Sequence, residues 1–179
     1  MHYTHEDIEK KLKTKVMKKI LLSLMLLLAT TMTVNAQQIF TEVKKMAQES
    51  VDNPATNPMV KKISVFKLDA LNYMAMKMRE EMPDSTAELL DKEALSLHIF
   101  INNYTNALVA NSQQPAAFQM KIIKGFMDAS YSNPLFNDDD KEVVHAYFND
   151  GTSMTRFSLD TDWRRAVLAA EEAMKRLKN

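Results

Sequence analysis

Met74, Met76, Met78 and Met82 lie within nine residues of one another, and thioethers so spaced are the soft ligands by which Cu(I) carriers hold their metal. On a helix, however, Met74, Met78 and Met82 share a face and Met76 points elsewhere. The aligned three therefore read as gap-filling core residues, a task that suits the flexible thioether. Glu142 and His145 have the i, i+3 spacing by which di-iron bundles hold metal, but such sites use the motif twice. The other downstream histidine, His98, has no glutamate three residues before it, so Glu142 reads as a helix-start carboxylate and His145 as a surface side chain. Asn137-Asp138-Asp139-Asp140 has the composition of a calcium loop. Counting from Asp138 places Val143 where glycine is required and Asn149 where the bidentate glutamate belongs, so the aspartates read as helix caps.

The sequence has no phosphate-cradling glycine loop, no serine between glycines at a strand-to-helix elbow, no paired-histidine zinc helix and no cysteine. Nothing singles out Asp160 and Asp162 as an acid pair. No catalytic residue, metal ligand or cofactor-binding residue is therefore assigned. The remaining concentration of chemistry is aromatic and basic: Tyr147, Phe148, Arg156, Phe157, Trp163, Arg164 and Arg165. Arginine beside tryptophan is the composition of an interface anchor, which makes Arg156, Trp163, Arg164 and Arg165 the candidate partner-binding set. Against this stands the ordinary use of large aromatics, which is to fill cores.

The elements that position these residues are helical. Glycine occurs only twice, at Gly125 and Gly151, which disfavours folds built on many tight turns. Prolines and asparagines cut the chain at helical lengths. Ile39, Val43, Met46 and Ala47 share one face of a first helix from Gln38 to about Val51. Asn53-Pro54 and Asn57-Pro58 separate it from a second, about Met59–Glu81, with a stripe of Val60, Ile63, Leu68, Leu71, Met74, Ala75 and Met78. After Pro83, Asp84 or Ser85 is placed to cap a third helix, Ser85 and Glu88 having the capping-box spacing. Its seam of Leu90, Ala94, Leu97, Ile101, Tyr104 and Leu108 runs to about Asn111. Pro115 opens a fourth around Phe118, Ile122, Phe126 and Ala129. A short fifth uses Val143, Val144, Tyr147 and Phe148, and residues 152–159 form a packed loop. Asp160 or Thr161 then caps a last helix with Trp163, Ala166, Val167, Ala170, Met174 and Leu177 on one face. The expected fold is all-α, an antiparallel bundle of about five or six helices whose stripes bury one another.

Lys18 and Lys19, the apolar run Ile20–Ala29 and the small-residue site Val34-Asn35-Ala36 give the basic, apolar, cleavable order of a secretory signal. It resembles the leaders of bacterial secretory precursors, with cleavage expected after Ala36 and Met17 as the expected true start. The run is too short to span a bilayer stably. Residues 1–36 are thus an extension plus leader, and residues 37–179 are one helical domain with Gln37, a residue able to cyclise, as its new amino terminus. That domain has 17 lysines and arginines against 20 aspartates and glutamates, which disfavours a nucleic-acid surface. The sequence points to a periplasmic or secreted helical protein that binds another envelope or secreted protein, or serves as a structural component, rather than catalysing. A small-ligand or metal-binding carrier is the alternative, and an enzyme ranks third.

Overall fold

The computed structural model describes residues 38–178 apart from Thr86. The expected leader and Gln37 lie outside the described residues. Within them the chain is all-α, with seven helices and no strand. These are α1 (Gln38–Asp52), α2 (Pro58–Glu81), α3 (Ala87–Ala110), α4 (Ala116–Tyr131), two single turns α5 (Lys141–Val144) and α6 (Ala146–Asn149), and α7 (Trp163–Lys178).

Local chemistry explains the boundaries. Pro58 occupies the first turn of α2, where its missing N–H costs nothing, and the Asn57 side chain accepts the Met59 N–H at 2.9 Å. Pro83 stands just beyond the α2 terminus, and Pro115 immediately precedes α4. Asp140 caps α5 by accepting the Val143 N–H. The expected single fifth helix is instead broken at His145, and Val143, expected to face the core, is exposed. Four residues per turn-length piece cannot keep one continuous stripe, so only Val144 is fully covered.

α3 is the centre of the molecule. It packs against α1, α2, α4 and α7, while α4 also packs along α7 and α1 along α2. Its expected seam is buried from Leu90 through Tyr104. On α2 the expected Ile63, Leu71, Met74 and Met78 are buried, but the covered face also takes in Phe66 and Ala70, and Val60 is exposed. The reason lies outside the helix. Phe66 meets Phe157 at 5.7 Å and Trp163 at 6.0 Å, joining an edge-to-face group with Phe100, Tyr104 and Phe126. Each such ring is worth about 2–3 kcal/mol of apolar burial. Phe157 belongs to the irregular segment 152–159, which is a packed loop as the sequence suggests and is held by its own core side chains.

Candidate functional site

The residues with chemical potential lie at the start of α7 and on the N-terminal half of α3. Asp91 and Glu93 are both buried, although they are carboxylates on the central helix. Asp91 Oδ1 accepts the Phe40 N–H of α1 at 2.8 Å, and Glu93 Oε2 accepts the Trp163 N–H of α7 at 2.8 Å. In each case a side chain of one helix satisfies an amide in the first turn of another. Such amides have no intrahelical partner and carry the positive end of the helix dipole. Glu93 is 1% exposed and its Oε1 has no partner among the described residues. Burial raises its carboxyl to about 7, with the nearby charge of Asp162 acting in the same direction.

Immediately before α7 the hydroxyls form a closed circuit. The Ser158 N–H donates to Ser130 Oγ at 2.8 Å, Ser130 and Thr161 hydroxyls meet at 2.7 Å, and Thr161 Oγ1 donates to the Ser158 carbonyl at 2.7 Å. Because the Thr161 proton is used on that carbonyl, Ser130 is the donor in the middle bond. Ser158 Oγ in turn donates to Asp160 Oδ1 at 2.5 Å. A serine beside an aspartate has the makings of a nucleophile. Here all four side chains are buried, no histidine bonds to them, and each hydroxyl proton is spent within the protein. The expected cap of α7 is corrected accordingly: Asp160 and Thr161 serve this knot, and Asp162 caps the helix by accepting the Arg165 N–H at 3.0 Å.

The segment between α4 and α7 is tied to α2 by two reciprocal bonds. The Tyr73 hydroxyl donates to Asp138 Oδ2, and the Tyr147 hydroxyl donates to Asp69 Oδ2, both at 2.5 Å. Asp69 and Tyr73 are four apart on α2 and so share a face. Lys77, one turn further, lies 3.1 Å from both Asp138 and Glu81. The Tyr73 bond is the largest influence holding the Asp138 carboxyl below its usual range, and burial raises both tyrosines. Asp138 is thus a tether rather than the helix cap expected of it.

The four candidate partner-binding residues are not one surface. Trp163 is fully buried, 5.4 Å from Phe100, and only its backbone reaches Glu93. Arg156 is half-buried and its guanidinium donates to the Gly151 carbonyl. Arg164 and Arg165 face solvent, with Arg165 Nε 3.3 Å from Asp162. Met74 and Met78 sit in the core while Met76 is exposed. Glu142 is exposed, and His145 lies against Tyr131 at 4.9 Å. No trio of histidine, aspartate and glutamate side chains converges on a metal-sized site among the described residues.

Open grooves also lie between the helices among the described residues. One, about 300 Å³, lies between α3, α4 and α7 over Phe100, Phe126 and Val167 with Asn103, Glu171 and Lys175 at its edges. Another, about 330 Å³, lies between α1, α2 and α3 over Phe40, Met78, Met82 and Leu90. No helix among the described residues is long and apolar enough to cross a membrane. Sequence reasoning missed Asp91, Glu93 and the hydroxyl circuit. One signal was present: Leu90, Glu93, Leu97 and Phe100 recur at steps of three and four, so Glu93 holds a core position in the pattern. Comparison with known proteins returns no match to the chain, whether from family models, curated proteins or solved structures.

Proposed function

We propose that this is an exported protein, periplasmic or secreted after cleavage behind Ala36, that acts by binding another envelope or secreted protein or as a structural component. Its helices run antiparallel to their chain neighbours in this reading, as short connections between long helices favour. The observation that carries it is the use made of the reactive groups. Asp91, Ser130, Ser158, Asp160, Thr161 and, through Oε2, Glu93 are committed to bonds inside the protein, while Arg164 and Arg165, the latter beside Asp162, are exposed at the head of α7. Arginines held in place by a buried anchor such as Trp163 are well suited to engage carboxylates of a partner.

A small-ligand carrier is the second reading, supported by the groove over Phe100 and Phe126, whose apolar floor and polar edge suit a small amphipathic molecule. The two separate in one experiment. Intact cells are crosslinked and the mature chain recovered: a discrete crosslinked protein supports the first reading. A chain recovered free of protein but carrying a co-purifying small molecule supports the second, and a chain recovered uncleaved from the cytosol overturns both.

A further inference from the structure

The face of α7 turned away from the core carries a symmetrical pattern. Trp163, Ala166 and Ala170 are buried, and Leu168 stands on the opposite side, 66% exposed, more than any other large apolar side chain among the described residues. Arg164 and Arg165 lie four and three residues before it, and Glu171 and Glu172 three and four residues after it. All four are exposed. At about 100° per residue, Arg164 and Glu171 fall on one flank of Leu168, and Arg165 and Glu172 on the other.

α7 by itself does not account for this pattern. Both arginines occupy its first turn, where the helix dipole disfavours positive charge. On each flank the arginine and the glutamate are seven residues apart, two turns, beyond the step at which side chains of one helix pair. Arg164 and Glu171 are in no ion pair among the described residues, although Lys175 lies one turn beyond Glu171. The Arg165 side chain is engaged only through Nε, 3.3 Å from Asp162, and Glu172 only through Oε1, 3.2 Å from Arg176. Those two contacts are on the surface, where ion pairs hold weakly and exchange readily.

We infer that this face pairs with the same face of a second copy of the chain, the two α7 helices running antiparallel about a twofold axis at Leu168. The inference rests on the reading that Arg164 and Arg165 form a contact surface, and it makes another copy of this protein their partner. Such a twofold sets each flank against the like flank of the copy with its direction reversed. Arg164 then meets Glu171 of the partner subunit and Arg165 meets Glu172 of the partner subunit, on both sides of the paired leucines. A parallel pairing would set arginine against arginine and glutamate against glutamate, so the charges select the direction. A contact confined to one helix face falls below the roughly 1,200 Å² of a standard interface, so the dimer is weak and depends on charge.

The test is sedimentation equilibrium of the purified protein at concentrations up to about 1 mM. At about 0.02 M salt the mass should climb from monomer toward dimer with concentration, and at about 0.5 M salt it should stay near monomer. Arg164→Glu/Arg165→Glu and Glu171→Arg/Glu172→Arg should each remain monomeric with helicity unchanged, and mixing the two variants should restore association. Because the chain has no cysteine, Leu168→Cys introduces its only thiol. On the twofold axis, with helix axes about 8–10 Å apart, that thiol meets its copy. Mild oxidation should therefore link Leu168→Cys into dimers several-fold more than Met120→Cys, whose exposed site lies on α4. A wild-type protein that stays monomeric at low salt, or one whose association both charge reversals leave unchanged, overturns the pairing. If that monomeric chain still captures an envelope protein through Arg164 and Arg165, only the pairing falls; if it captures none, the contact-surface reading falls with it.

Discussion

Asp91 and Glu93 stand two residues apart on α3 and therefore project to opposite sides of it, where one holds the start of α1 and the other the start of α7. A single helix thereby fixes the entry of the first and the last helices described. The arrangement satisfies amides that would otherwise be buried without partners, at the cost of drawing two carboxylates out of water.

Glu93 makes stability depend on pH. Its folded carboxyl, raised to about 7 from an ordinary 4.5, favours folding fully below about pH 4.5 and loses that contribution as pH rises through about 7. The loss is on the order of 3 kcal/mol. Glu93→Gln keeps an acceptor for the Trp163 N–H and no longer ionises. Its melting temperature should match the wild type near pH 4.5 and exceed it near pH 8, read by circular dichroism.

His98 acts in the opposite sense. Lowered to about 4 by burial and by the Lys67 charge, it must stay neutral in the fold, so its contribution is present above about pH 6.5 and is lost as pH falls through about 4. His98→Gln should flatten the acid side of the stability profile. Guanidinium titrations at about pH 4 and pH 7 measure the difference.

The hydroxyl circuit should behave as a unit. Thr161→Val preserves shape but strands the Ser130 hydroxyl and the Ser158 carbonyl, costing about 2 kcal/mol, and Ser130→Ala should cost a similar amount. Together they should cost less than their sum by about 1 kcal/mol or more, as a double-mutant cycle in urea would show.

The helical course was legible because buried stripes and prolines are local signals. Ile122, Phe126 and Ala129 on α4, and Trp163, Ala166 and Ala170 on α7, are buried as their spacing implies. What escaped is non-local. Glu93 and Trp163 are 70 residues apart, Phe40 and Asp91 51, and Ser130 and Thr161 31, so no window along the chain displays their bonds. Trp163 beside Arg164 and Arg165 suggested one face, yet successive helix positions diverge by about 100°, which sends the indole inward and leaves the arginines outside.

Gly125 of α4 faces Ala173 and Met174 of α7. A Cβ there would stand 2.9 Å from Met174 Cε and 3.3 Å from Ala173 Cβ. The methionine tip can swing aside, so Gly125→Ala should change stability by less than about 1 kcal/mol, helix propensity offsetting the contact. Gly125→Val has no such escape and should cost about 1–3 kcal/mol, measured by thermal unfolding.

The exposed arginines carry the central claim, and exchanging them tests it most directly. The mature chain and its Arg164→Ser/Arg165→Ser variant are crosslinked to the same envelope and secreted fractions, and the captured proteins are compared. A partner held by the wild type and lost from the double variant, with a melting temperature changed by no more than what about 0.5 kcal/mol produces, is the predicted result. Equal capture by both chains would contradict it.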